Sequence, residues 1–223
     1  MICKGCVMKT VLCYGDSNTW GYDPDTQRRH APSVRWPGVM AQMLGETYHV
    51  VENGVGGRSA LWDSPYADGL NGKSALIYAL LSARPIDLMI IMLGTNDLNY
   101  TDAKNVARAQ QSLIAAARGI SAAVGDALPV FTEQKPKFLL VSPPHLSDCL
   151  FRTRHTIEPY FTQAESKKLS LYYQQIADIE QVFFLDAAQY AAPSETDGIH
   201  LPADAHSRLG GAMAAMVRSI FEE

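Results

Sequence analysis

The chain has 223 residues, 47% of them hydrophobic, and a formal charge of −4. That length supports one sizeable core and demands no second domain, so residues 1–223 read as a single domain with residues 1–8 as a flexible tail. Like charges are not gathered into long runs, so there is no electrostatic footprint for nucleic acid and no polybasic membrane anchor; small-molecule chemistry is favoured. The N-terminus has neither the long apolar stretch nor the small-residue cleavage site of a signal peptide, and the expected compartment is cytoplasmic.

Cysteine usage fits that expectation, because Cys13 lies in a buried-strand pattern and Cys149 sits alone in a loop. Cys3 and Cys6 have the spacing of a redox pair or half a zinc site. No second Cys/His pair completes a metal cluster, and neither a metal nor an organic cofactor is expected.

In chain order the apolar patterns alternate between strand and helix. Lys9 to Tyr14 predicts a strand, Trp36 to Leu44 a helix, Tyr48 to Asn53 a strand and Gly72 to Ala83 a helix. Leu88 to Leu93, Lys137 to Ser142 and Val182 to Asp186 supply three more short apolar strands, with helices at Ala103 to Val124, Ile157 to Asp178 and Ala203 to Phe221. Short apolar strands alternating with amphipathic helices predict an α/β fold. The expected architecture is a three-layer α/β/α sandwich, a flavodoxin-like, doubly wound sheet of five parallel strands. Gly125 to Pro136 and Pro143 to Tyr160 interrupt the alternation, and loops of that length are often lids or interface elements.

In such a sheet a ligand crevice lies beyond the carboxyl ends of the strands. Three polar segments follow strands there: Gly15-Asp16-Ser17-Asn18, Asn53-Gly54-Val55-Gly56-Gly57 and Gly94-Thr95-Asn96-Asp97. A fourth, Asp197-Gly198-Ile199-His200, lies near the C-terminus. A serine hydroxyl needs a base, and histidine titrates near neutral pH. Ser17 as nucleophile, His200 as base and Asp197 as orienting carboxylate form one such set, with oxyanion donors from the Ser17 and Gly57 backbone N–H groups and the Asn96 amide. Taken singly, each segment also fits a plainer role: Ser17 as a helix N-cap, Asp197 to His200 as an exposed turn, Asn53 to Gly57 as a glycine turn and Asn96 as a cap. Asp16 and Asp97 suit loop-shaping hydrogen bonds, Arg35 and Arg58 an acidic substrate or local carboxylates, and His206 the surface of its helix.

Together, and in this order, the four segments resemble the SGNH, or GDSL-type, serine hydrolases. The resemblance spans nearly the whole chain and implies the same three-layer fold and ester hydrolysis. Asn18 departs from the leucine of the motif's name, a departure that bears on acyl preference. Gly15 to Gly21, Val34 to Val39, Ile90 to Asp97 and Val141 to Pro144 look like the bacterial arylesterase and acyltransferase branch. That narrower resemblance implies small ester substrates, acyl transfer to alcohols or hydrogen peroxide, a homo-oligomer, and an acyl pocket shaped by Trp20 and Tyr22. Packing beside the first helix is the plainer role for those two aromatics. Carbohydrate acetylesterase, thioesterase and lysophospholipase activities would use the same groups. A non-catalytic flavodoxin-like binding module fits the fold but leaves Asp197 and His200 unexplained.

Overall fold

The computed structural model describes residues 8–65, 67–125, 127–149 and 160–222. Its strands are β1 (Lys9–Gly15), a hairpin of β2 (Tyr22–Asp23) and β3 (Arg28–Arg29), β4 (Tyr48–Gly54), β5 (Leu88–Met92), β6 (Lys137–Ser142) and β7 (Phe183–Asp186). Five of them form one parallel sheet in the order β4-β1-β5-β6-β7. Setting the hairpin aside, this is the expected doubly wound order, and every predicted strand lies within one residue of its observed bounds.

Strand residues divide between two cores by parity, as a sheet covered on both faces requires. Leu12, Tyr14, Met89, Ile91, Phe138 and Leu140 enter one core; Val11, Cys13, Leu88, Ile90, Leu139 and Val141 enter the other. The first core is closed by α3 (Gly72–Ala83), α4 (Ala103–Val124) and α6 (Leu169–Glu180), the second by α2 (Trp36–Leu44) and α7 (Ala203–Glu222). Truncating one of these fully buried side chains to alanine costs roughly 2–5 kcal/mol. Caps set the helix starts: Asn71 accepts from the Lys73 and Ser74 N–H groups, and Asp102 from that of Asn105. Among the described residues, no helix is long and apolar enough to cross a membrane.

Four features differ from the sequence reading. The helix expected over Ile157 to Asp178 is two helices, α5 (Gln163–Ser166) and α6, with Lys167 and Lys168 between them. Ser166 accounts for the break, since its hydroxyl donates to the Gln163 carbonyl at 2.8 Å and accepts from Leu146 N–H at 2.9 Å. The β2–β3 hairpin and the one-turn helix α1 (Ser17–Trp20) are too short to carry a periodic signal. Gly125 to Pro136 precedes β6 and pairs Phe131 with Ile86 at the amino end of the sheet, so it is no lid over the carboxyl-end crevice. Cys3, Cys6, the tail before Met8, the predicted helix start at Ile157 and most of the Pro143 to Tyr160 loop lie outside the described residues.

Candidate active site

Ser17 opens α1 directly after β1, the strand at which the sheet order reverses. The N-cap is not Ser17 but Asp16, whose carboxylate accepts from Asn18 N–H at 2.9 Å, so the serine hydroxyl is not used in capping. Burial raises the Asp16 carboxyl to about 6, against the Asn18 N–H and the positive fields of His200 and Arg58. Gly54 lets this helix sit against β4, because a Cβ there would lie 2.1 Å from Trp20 N.

The predicted oxyanion donors come from the strands on either side of β1. After β4, Val55 to Arg58 closes a tight turn through Arg58 N–H to the Val55 carbonyl at 3.1 Å. Gly57 occupies its third position at φ +79°, the conformation that a type II turn demands and glycine supplies. After β5, Asn96 donates one amide hydrogen to the Arg58 carbonyl at 3.0 Å, which fixes the orientation of the other. The buried Asp97 accepts from Ala60 N–H at 2.7 Å and ties these two loops together. Burial lifts the Asp97 carboxyl to about 7 despite that bond, with the Asp16 charge adding to the rise.

Among the described residues, Arg58 has no carboxylate as a hydrogen-bond partner. Its guanidinium donates to the Gly15 carbonyl at 3.0 Å, the Asn53 carbonyl at 2.6 Å and Asn53 Oδ1 at 2.9 Å, and it stacks 4.1 Å from the Tyr14 ring centroid. A buried cation thus staples the ends of β1 and β4, a role that sequence reasoning missed. Arg35 does pair with a carboxylate, holding Glu52 at 2.6 Å.

The Asp197 to His200 segment reaches this point from beyond β7. His200 Nε2 lies 2.9 Å from Ser17 Oγ, and Nδ1 lies 2.6 Å from Asp197 Oδ2. Asp197 Oδ1 accepts from the Ile199 and His200 N–H groups at 2.9 and 3.0 Å. Burial alone would raise the Asp197 carboxyl, but the His200 side chain and these two backbone donors outweigh it and hold it below the ordinary range. An ionised Asp197 favours the Nδ1–H tautomer and leaves the Nε2 lone pair facing the serine. The Tyr22 ring lies 4.3 Å from the imidazole centroid, whereas Trp20 stands under Arg29 of the hairpin at 5.1 Å.

Asn18, which the sequence reading attached to acyl preference, is buried and turned toward the histidine loop: Leu201 N–H donates to its Oδ1 at 3.1 Å, and its Nδ2 donates to the Ile199 carbonyl at 3.3 Å. No local signal could reveal this, because the partners are more than 180 residues away in the chain.

His206 corrects another expectation. It is fully buried, because α7 crosses α2 so closely that a Cβ on Gly210 would lie 2.9 Å from the Trp36 carbonyl oxygen. Trp36 N–H donates to its Nδ1 at 3.3 Å, and His30 packs edge-on at 5.2 Å. Burial, then the nearby charges of His30, Arg35 and His200, lower its pKa to about 3. The unfolded chain binds this proton near the ordinary value of about 6.5, so the residue's contribution to stability falls as pH drops from about 6.5 toward 3. Asp16 and Asp97, with raised values, act in the opposite direction, and His206→Gln isolates the histidine. In urea melts the wild type is expected to lose roughly 3 kcal/mol relative to that variant between pH 6.5 and pH 4. Parallel pH dependences in the two proteins would contradict the assignment.

A cavity of about 800 Å³, lined by Arg118, Phe131, Lys135 and Glu180 among others, opens at the amino end of the sheet. It lies at the end of the sheet opposite Ser17 and holds none of the four polar segments.

Comparison with known proteins supplies the family. The profile of the GDSL-like lipase/acylhydrolase family matches residues 13–208. The M. smegmatis aryl esterase is 35% identical, with a TM-score of 0.82 over 95% of this chain and 99% of its own. Est24, a carbohydrate acetylesterase from Sinorhizobium meliloti, is 36% identical, with a TM-score of 0.83 over 95% of this chain and 99% of its own. A carbohydrate acetylesterase family member from the same organism is 33% identical, with a TM-score of 0.86 over 97% of this chain and its whole length. A search of curated proteins finds no match. Fold, motif order and family profile together leave no place for a non-catalytic binding module: the chain belongs to the GDSL-like lipase/acylhydrolase family and is a carboxylic ester hydrolase of the SGNH type.

Proposed function

We propose that this esterase hydrolyses small carboxylic esters, aryl or short-chain alkyl, through an acyl-enzyme on Ser17. The observation that carries the reading is the continuous relay from Ser17 Oγ to His200 Nε2 at 2.9 Å and from His200 Nδ1 to Asp197 Oδ2 at 2.6 Å. His200 takes the hydroxyl proton as Ser17 attacks the carbonyl carbon, then returns it to the departing alcohol; water repeats the sequence to release the acid. The tetrahedral oxyanion accepts from Ser17 N–H, Gly57 N–H and the second Asn96 amide hydrogen. Asn96→Ala is expected to lower kcat by about 10²–10³-fold with little change in KM, since the donor acts on charge that develops only in the transition state. A comparable loss confined to KM would remove Asn96 from that role.

The aryl esterase from M. smegmatis supports aryl esters as substrates, and Est24 supports acetylated carbohydrates as a second reading. Transfer of the acyl group to an alcohol or hydrogen peroxide follows if either reaches the acyl-enzyme in place of water. Tyr22, packed on the imidazole, and Trp20 border the acyl pocket, and the working form is a cytoplasmic homo-oligomer. Turnover of p-nitrophenyl acetate, butyrate and octanoate, beside acetylated xylose, tests the substrate class. Acetate and butyrate are expected to exceed octanoate by about tenfold or more in kcat/KM, a margin that a few misfitted methylenes supply. Preference for octanoate would favour a thioesterase or lysophospholipase, and preference for the acetylated sugar the Est24-like reading.

A further inference from the structure

The loops bearing Ser17, Gly57 and Asn96 follow β1, β4 and β5, and both β4 and β5 hydrogen-bond directly to β1. The sheet itself therefore fixes those three groups against one another. His200 is different. Its loop follows β7, the strand at the far edge, three positions from β1. At about 4.8 Å per strand that is roughly 14 Å of separation, which the loop must span before His200 meets Ser17.

Several contacts fasten the far end of this loop to the β1 side. The Tyr22 ring rests on the imidazole, and Thr196 donates its hydroxyl to Asp25 at 2.6 Å on the exposed surface. Asn18 makes the buried connection. Its amide donates to the carbonyl of residue 199 and accepts from the N–H of residue 201, the pattern by which a parallel strand would bridge the residue between them, His200. Because Asn18 is also the neighbour of Ser17, a single residue couples the two ends of the relay. Asp16, whose carboxylate receives Asn18 N–H, fixes the backbone from which that amide projects.

We infer that Asn18 is a positioning residue whose side-chain amide substitutes for a missing strand and holds His200 in register with Ser17. The inference rests on the Ser17 reading above. Leucine, with as many side-chain heavy atoms, would fill the space but could not bridge residues 199 and 201. Aspartate keeps the acceptor for Leu201 N–H, gives up the donor to Ile199 and adds a negative charge next to His200. Other titratable groups around the imidazole are Asp197 on its own loop, Asp16 in the β1–α1 turn, Tyr22 in the hairpin and His206 on α7.

The test measures pH profiles of p-nitrophenyl acetate hydrolysis for wild type, Asn18→Leu, Asn18→Asp and Ser17→Ala, with thermal melts alongside. Asn18→Leu is expected to lose about 10- to 100-fold in kcat with KM within about threefold, the cost of a misaligned proton acceptor. For Asn18→Asp the acidic limb of kcat/KM is expected to move up by about one pH unit, because an added anion favours the imidazolium. A role in stability alone would lower the melting temperature and leave kcat of the folded variant at the wild-type value. If Asn18→Leu does not fold, kcat of Asn18→Asp above its acidic limb decides the matter, with a loss expected because the donor to Ile199 is gone. Wild-type kcat in Asn18→Leu, or in Asn18→Asp above its limb where Asn18→Leu does not fold, would overturn the inference while Ser17→Ala is inactive. An active Ser17→Ala would instead overturn the serine mechanism on which it depends.

Discussion

Ser17→Ala is expected to reduce kcat for ester hydrolysis by roughly 10⁴- to 10⁶-fold, the range over which loss of an activated serine acts in serine hydrolases generally. The change removes one oxygen. Asp16 rather than Ser17 caps α1, and the Ser17 carbonyl, which accepts from Gly21 N–H at 2.8 Å, is retained. Stability should therefore stay within about 1 kcal/mol of wild type, as for most substitutions that leave caps and core intact. Because the lost oxygen bonds to the substrate only as the reaction proceeds, KM should change far less than kcat. Loss of activity together with loss of the cooperative unfolding transition would show a folding role for Ser17 and leave the nucleophile unassigned.

Asp197→Asn is expected to cost about 10⁴-fold in kcat, and the reason is tautomeric. The carboxylate now receives the His200 Nδ1 proton at 2.6 Å and leaves Nε2 free to accept from Ser17. An amide nitrogen in the place of Oδ2 donates instead, so Nδ1 becomes the acceptor and Nε2 carries the proton. A protonated Nε2 cannot take the serine's hydrogen. The amide oxygen can still accept from the Ile199 and His200 N–H groups, so the loop is expected to survive. Removing the carboxylate also removes a pH dependence. Its pKa is lowered on folding, so it contributes stability above the unfolded value that is lost as pH falls through the folded one. Steeper acid destabilisation of the wild type than of Asp197→Asn, read from denaturant melts between pH 5 and pH 2, checks that sign.

Much of the framework could be read in the sequence because it depends on local patterns. Runs such as Leu88 to Leu93 are apolar on both faces, and Ala103 to Val124 has one apolar stripe bounded by Asp102 and Gly125, so both elements announce themselves. Three of the four polar segments were legible for a related reason: topology dictates that loops after β1, β4 and β5 meet at one edge, whereas Asp197 to His200 stood out by its residue types alone. What stayed hidden depends on distant partners. Asn18 answers to residues 199 and 201, Arg58 to Gly15 and Asn53, and Asp97 to Ala60. Each of these side chains sits beside a proposed catalytic group and ties it to another loop. His206 looked superficial because helix periodicity reports which face is apolar and says nothing of how closely α2 crosses. The β2–β3 hairpin escaped because strands of two residues, Tyr22–Asp23 and Arg28–Arg29, have no alternation to read.

The most direct measurement is labelling of the folded enzyme with a fluorophosphonate, followed by mass mapping of the adduct and repetition on Asp197→Asn. A serine activated by His200 gives one adduct, on Ser17, formed in step with loss of esterase activity and far more slowly in the variant. Full esterase turnover with Ser17 unlabelled, or an adduct on another residue that abolishes activity, would contradict the relay as the source of the chemistry.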